Sequence, residues 1–199
     1  MDHHGPQMRV PASGRHRYQP CYCEENVWWL CQHQSFADLE RWVVFISNPA
    51  RQCILLEQRA SPASRAVIWD YHVILLACGE AQLEVWDLDT QLGVPVPLVS
   101  YLAQTFPPLP PGGAAFMPLF RVVPVGDFLT TFATDRSHML APDGSWLAPP
   151  PPWTAPAADG QEANLMRFVD MGDDVAGDVV DLAGLLRRFA GAEAVGRRR

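Results

Sequence analysis

The sequence predicts an α/β chain of the α+β type, an antiparallel sheet flanked by helices with an irregular, proline-rich second half. Three observations carry this. Apolar, β-branched segments at 42–47, 53–57, 66–78 and 82–88 follow one another with no crossover helix between them, which argues for antiparallel neighbours. Gly79-Glu80 joins the last two as a Gly-first pair, the dipeptide favoured in a two-residue hairpin turn. A segment of helical period, from Cys23 to about residue 33, precedes them all. No glycine-rich phosphate loop is present, so the sequence does not point to a doubly wound nucleotide fold.

In the first helix Val27, Leu30 and Cys31 recur at helical spacing, and Trp28 widens the stripe. Glu24 and Glu25 fall in its first turn, where carboxylates suit the helix dipole. Asp38 is expected to cap a short turn ahead of the strand at 42–47. After the hairpin the chain changes character: residues 89–113 are rich in proline, with one helix expected around 98–106. A strand at 119–123 precedes a helix over 127–133 with Asp127 as cap, then the polar turn 135–139. Residues 141–163, including Pro149 to Pro152, are too rich in Pro, Gly and Ala for regular structure. Asp181 caps a last helix with Leu182, Leu185, Leu186 and Phe189 on one side.

The 199 residues suit one domain better than two, and 48% hydrophobic against 19% charged is the balance of a folded chain. A formal charge of −7 removes the electrostatic case for nucleic acid. All fifteen basic residues are arginine, which excludes every lysine-based mechanism. No apolar run approaches the ~20 residues of a membrane span, so no membrane partner is expected. The five cysteines are an odd number without zinc-finger rhythm, and the first twenty residues hold no apolar leader core. A reducing, cytoplasmic setting with free thiols is therefore expected.

Cys23, His72 and Asp87 are the candidate chemistry. A thiol at a helix N-terminus faces free N–H groups that stabilise its anion and lower its pKa, although Glu24 and Glu25 work against this. A paired imidazolium would have to compensate. If Cys78 pairs with Ala81 across the Gly79-Glu80 turn, counting back sets His72 directly opposite Asp87, within hydrogen-bonding reach. Alternation puts Asp70, His72 and Ile74 on one face and Trp69, Tyr71 and Val73 on the other. Three simpler uses stay open: Cys23 as an inert core thiol, His72–Asp87 as a structural pair, and zinc held by Cys21, Cys23 and His72. The zinc reading is weakened because Cys-x-Cys lacks the usual finger spacing. Cys31, Cys53 and Cys78 read as core, and Arg136 as an anchor for carboxylates and loops. Pro149 to Pro152 also matches the ligand of a polyproline-reading domain, although a packed loop suits the composition better.

Several blocks resemble the protein N-terminal glutamine amidohydrolases: Cys21-Tyr-Cys-Glu-Glu-Asn-Val-Trp, Val44-Phe-Ile-Ser-Asn, Val67-Ile-Trp-Asp-Tyr-His-Val, Asp87-Leu-Asp-Thr, Phe132-Ala-Thr-Asp-Arg-Ser-His-Met and Pro149 to Pro152. The match continues through Asn164, Leu165 and Phe168 to Leu185–Phe189, spanning roughly residues 18–191 in one register. The resemblance implies a transglutaminase- or papain-like core, in which Cys, His and Asp occur in this chain order. It implies hydrolysis of the side-chain amide of an N-terminal glutamine through a Cys23 thioester, with Cys23, His72 and Asp87 as triad. The product would be glutamate, feeding an N-degron pathway. Neither a metal nor another cofactor is implied. The expected partners are proteins or peptides beginning with glutamine, and the enzyme is expected to be a monomer. Such a site must hold an α-ammonium, for which Asp70 is the first candidate and Glu24 and Asp135 the next. Trp28, Trp69 and Tyr71 are aromatic residues available for the side-chain pocket. The implied organisation is an arm over 1–17, one catalytic domain over 18–191 and a disordered tail over 192–199. Composition and length around 51–65 and 105–116 depart from the family's pattern.

Overall fold

The structure, a computed structural model, describes residues 16–61, 66–79 and 82–190. Helix α1 (Cys23–Cys31) and a 3₁₀ turn (Gln34–Phe36) lead into β1 (Arg41–Ser47). Then come β2 (Cys53–Leu55), β3 (Val67–Trp69), β4 (His72–Cys78), β5 (Leu83–Trp86) and β6 (Val96–Pro97). The second half holds α2 (Leu98–Thr105), β7 (Leu119–Pro124), α3 (Val125–Thr131), α4 (Leu165–Val169), β8 (Asp178–Val180) and α5 (Leu182–Phe189). Six strands form one sheet in the order β6-β5-β4-β1-β7-β8, antiparallel at each described pairing, and β2–β3 form a separate ribbon.

The central strands are apolar on both faces because the sheet is covered on both. Val43 and Phe45 of β1, with Val73, Leu75 and Ala77 of β4, meet α1, α3 and α4 on one side. Val44 and Ile46, with Ile74 and Leu76, meet α2, α5 and the ribbon on the other. The chain is thus a mixed α/β fold with a central antiparallel sheet flanked by helices, as its apolar pattern predicts. No described helix is long and apolar enough to cross a membrane.

Five expectations need correction. The segment 66–78 is two strands, because the Asp70 carboxylate accepts the Tyr71 N–H at 2.9 Å and closes a local turn. Trp69 therefore changes side and packs against the second core, while Tyr71 stays with the first. The hairpin register is two residues off the count: Cys78 faces Leu83 and Leu75 faces Trp86. Gly79 donates to the Gln82 carbonyl at 2.9 Å, one step past the last ladder pair Cys78–Leu83, and residues 80–81 lie outside the described residues. The glycine serves close approach, since a Cβ there would lie 2.8 Å from the Glu84 carboxyl carbon. His33, not Asp38, caps the first 3₁₀ turn by accepting the Ser35 N–H. Helix α3 starts at Val125, directly after Pro124, with Asp127 inside its first turn. On α5 Leu185 and Phe189 are buried, while Leu186 is 38% exposed.

Residues 1–15 of the expected arm and the tail 192–199 lie outside the described residues. Arg17 lays its guanidinium 3.5 Å over Trp29, and His16 packs edge-on against Trp86, so the last two arm positions are part of the packed chain.

One buried cation holds the far edge of the sheet. Arg121 of β7, 1% exposed, donates to the backbone carbonyls of Phe168, Asp170, Asp173 and Val175 at 2.7–3.1 Å. Those bonds fix the loop between α4 and β8. Arg121→Met should therefore destabilise the fold by about 3–5 kcal/mol, since four carbonyls lose a charged donor at once. Urea unfolding checks this, and a loss under about 1 kcal/mol would assign the loop's order to something else.

Candidate active site

The site lies where α1 and β4 both begin. Cys23 is the first residue of α1, and no side chain caps that helix start. Its half-buried sulfur donates to Glu24 Oε2 at 3.7 Å and accepts the Val73 N–H. His72 opens β4, 2% exposed, with its Nε2 2.9 Å from Asp87 Oδ1. Asp87 follows the last residue of β5, at the mouth of the turn 87–90.

The two-residue slip in register leaves His72 and Asp87 on one face of the sheet, because side chains alternate with period two. Carried past Leu75–Trp86, the ladder sets Asp87 against Ile74, so His72 becomes its diagonal neighbour. A diagonal spans further, and the imidazole bridges it.

Asp87 is fully shut from water, and every lone-pair direction of its carboxylate is used. Oδ1 accepts from His72 and from the Asp89 N–H at 2.9 Å; Oδ2 accepts from Tyr101 of α2 at 2.8 Å and from Gln58 at 3.2 Å. Burial raises its pKa, but the His72 charge and hydrogen bond, helped by the Asp89 N–H and Tyr101, hold it below the usual carboxylate value. For His72 burial is the largest single influence and lowers the pKa. The Asp87 charge and hydrogen bond, with Asp89 and Glu24 behind them, outweigh it and leave the imidazole above its ordinary value.

The thiol behaves against expectation. Burial is the first cause that pushes Cys23 well above the usual thiol range; Glu24, whenever its carboxyl is ionised, and Asp89 add to it, and the Val73 N–H opposes them only in part. The helix start does not overcome these.

Cys23 and His72 line one cavity of about 670 Å³, together with Asp70, Asp89, Trp69 and Tyr71. The Trp69 indole lies nearly parallel to the His72 ring, with centroids 6.4 Å apart. Arg51 and Arg59 stand on the same wall system, and Met139, Leu147 and Met166 supply apolar surface. Of the three carboxylates expected from sequence to meet an ammonium, only Asp70 lines the cavity. Glu24 is fully buried beside the thiol, bonded to Tyr71. Asp135 accepts the Ser137 N–H two residues on, just ahead of the 3₁₀ turn Ser137–Met139, and does not line the cavity. Trp28 does not line it either.

Sequence reasoning missed Asp89, Tyr101 and Gln58. Asp89 stands two residues beyond Asp87, takes the Tyr18 hydroxyl at 2.5 Å and faces the cavity. Its spacing from Asp87 was a readable signal; Tyr101 and Gln58 arrive from distant elements and left none. The expected anchor does form: Arg136 grips the buried Glu25 carboxylate through two bonds, at 2.6 and 2.8 Å, and Trp153 adds a third.

Among the described residues one group of three metal-capable side chains occurs: His72, Asp87 and Asp89, whose ligand atoms lie within 4.8 Å of one another. It includes no thiol, so the Cys21–Cys23–His72 zinc set is not assembled. The donors already on Asp87, with Tyr18 on Asp89, account for these carboxylates as hydrogen-bond acceptors.

An imidazole raised by a buried carboxylate has a direct signature. The His72 titration followed by NMR should have its midpoint above the ordinary value of about 6.5, and Asp87→Asn should lower that midpoint by about one unit or more. An unchanged midpoint in the variant would dissociate Asp87 from the His72 charge.

Residues 18–189 match the sequence profile of a family described as N-terminal glutamine amidase. The chain is 37% identical to the protein N-terminal glutamine amidohydrolase of Bos taurus over 179 residues, covering 87% of this chain and 86% of the relative. It is 37% identical to that of Homo sapiens over 178 residues, covering 86% and 87%, and 41% identical to that of Arabidopsis thaliana over 170 residues, covering 79% and 76%. The profile match over residues 18–189, with relatives 37–41% identical over most of both chains, places this protein in the N-terminal glutamine amidase family of hydrolases.

Proposed function

We propose that this protein removes the side-chain amide from an N-terminal glutamine, leaving N-terminal glutamate and ammonia, with Cys23, His72 and Asp87 as its triad. The observation that carries the reading is the shared cavity: the Cys23 sulfur and the His72 ring line the same space, with Asp87 buried behind the imidazole and bonded to it. Family membership supports the substrate. The chain order Cys, His, Asp, with a helix start against a strand start, supports a papain- or transglutaminase-like core.

His72 takes the Cys23 proton as the sulfur attacks the carboxamide carbon, the new C–S bond pushing the carbonyl electrons onto oxygen. The N–H groups at the free start of α1 receive that oxyanion. Collapse restores the carbonyl and expels the nitrogen, which His72 protonates to ammonia. His72 then takes a proton from water as its oxygen attacks the thioester. The second collapse releases glutamate and returns the sulfur, which regains its proton from His72. Because Nε2 is committed to Asp87, Nδ1 is the nitrogen that carries these transfers. Asp87 fixes the tautomer and offsets the imidazolium charge without taking a proton.

The substrate's α-ammonium docks on a carboxylate of the cavity wall, and Asp70 is the residue we assign. Glutamine is told from asparagine by reach. One methylene contributes about 1–3 kcal/mol in a pocket, and a carboxamide held short of the sulfur also loses orientation. The setting we propose is reducing and cytoplasmic, one in which thiols such as Cys23 stay available for chemistry. The proposed partners are chains beginning with glutamine, and the proposed downstream role is an N-degron pathway.

Ammonia release from peptides beginning with Gln, Asn and acetyl-Gln tests this. Only the free Gln peptide should turn over, and Cys23→Ala should reduce its turnover by at least about a thousandfold. Release from acetyl-Gln, or from internal glutamine alone, would replace this reading with a transglutaminase- or peptidase-like one. Asp70→Asn should raise KM about tenfold or more with kcat little changed; an unaltered KM would remove Asp70 from ammonium binding.

A further inference from the structure

A second ionisable cluster touches the thiol from the side away from His72–Asp87, and the mechanism above makes no use of it. Glu24 is fully buried. Its Oε2 accepts the Tyr71 hydroxyl at 3.0 Å and the Cys23 thiol at 3.7 Å. Its Oε1 is buried with no hydrogen bond, and the nearest polar atom recorded for it is His138 Nε2 at 3.5 Å. The Tyr71 oxygen lies 3.3 Å from the same His138 nitrogen; with its proton given to Glu24 and Nε2 serving as acceptor, that contact is proximity without a hydrogen bond.

A buried carboxylate oxygen with no donor is costly. A proton on that oxygen removes the cost. A protonated Oε1 is a donor aimed at His138 Nε2, while Oε2 goes on accepting from Tyr71 and Cys23. His138 suits the role of acceptor, since burial lowers its pKa and keeps the ring neutral. Burial likewise raises the Glu24 carboxyl, to about 7, against the opposing pull of its own backbone and of Tyr71. Glu25 does not share this fate, because Arg136 and Trp153 satisfy its charge.

We propose that Glu24 is a positioning residue that holds a proton against the Cys23 sulfur, in a neutral network with Tyr71 and His138, and that thiolate formation depends on its keeping that proton. The physical reason is charge. An anion adjacent to the sulfur would strengthen the S–H···O contact and repel the developing thiolate; a neutral carboxyl does neither. The Cys23 proton can then pass to His72. The charged and titratable groups around Glu24 are few. Cys21, Tyr22, Cys23 and Glu25 come from α1 and its lead-in, Tyr71 and His72 from the start of β4, and Arg136 and His138 from the turn 136–138. This inference rests on Cys23 as the reactive sulfur, and its test needs no glutamine substrate.

The rate of Cys23 alkylation by iodoacetamide is measured against pH in wild type and Glu24→Gln, with the adduct mapped to Cys23. Glutamine keeps the shape and stays neutral. Below pH about 7 the two proteins should react alike. Above it the variant should pull ahead by about tenfold, the effect of sparing a thiolate one adjacent charge. A rate ratio that stays constant across the range, whether at one or at another value, would overturn the proposal. Tyr71→Phe gives an independent reading should the first variant fail to fold. Tyr71 stabilises the Glu24 anion, so without it the bend in the wild-type rate profile should move to higher pH, and a bend that stays in place would also overturn it. If the alkylation profiles behave as stated while Gln peptides release no ammonia, the deamidation reading fails and this one stands.

Discussion

The hydrogen bond between His72 and Asp87 is made where water does not reach, and most of the site follows from that. A carboxylate buried without partners would be costly by several kcal/mol, so the fold surrounds Asp87 with donors from four places in the chain. His72 comes from the start of β4, Asp89 from the turn, Tyr101 from α2 and Gln58 from the stretch beyond β2. Each donor lowers the carboxylate's tendency to take a proton, and the anion in turn holds the imidazole in one orientation. The order of the sheet serves the same end. With β4 beside β1 at the centre, and β5 beyond it, His72 opens a central strand next to the one that leads into Asp87.

On the other face, α1 sets the sulfur against the head of β4. Its first turn is unusual in burying Glu24, Glu25 and Asn26 together. Asn26 ties the lead-in by paired bonds to the Gln19 backbone. Glu25 ties the irregular second half through Arg136 and Trp153, and Tyr22 reaches the Ala148 carbonyl. The proline-rich stretch therefore acts as a wall held onto the helix that carries the thiol, and it brings Met139 and Leu147 to the cavity. Burial there favours the protonated thiol, so the sulfur's reactivity depends on a base that takes its proton.

Much of this was legible from residues. The period of Val27, Leu30 and Cys31 marked α1, and the apolar runs at 42–47 and 66–78 marked strands, although the second run is two strands and the cover on both faces was not read. His72 and Asp87 were joined by counting across a hairpin, and the count erred by two. Gly79 read as the first residue of the two-residue turn; it instead pairs its N–H with the Gln82 carbonyl at the end of the strand. The error was harmless to the face, since an even slip preserves it, and it hid the position of Asp89. What sequence could not supply was long-range pairing. Nothing local says that Tyr101 or Gln58 meets Asp87, or that Asp70 interrupts a strand by bonding its neighbour's N–H. The helix-dipole argument for a depressed Cys23 pKa failed for a physical reason: burial and an adjacent carboxyl outweigh a few N–H groups at the head of a nine-residue helix.

The central claim is that Cys23 is the atom that bonds to the substrate. A peptide whose N-terminal residue is glutamine with a chloromethyl ketone in place of the carboxamide would deliver an electrophile to the position of the attacked carbon. Mass spectrometry of the digested protein should then find one equivalent of label, on Cys23 alone among the five thiols, with labelling slowed by an excess of Gln peptide. Label on Cys21, which lines the same cavity, or label scattered without protection by Gln peptide, would contradict the account.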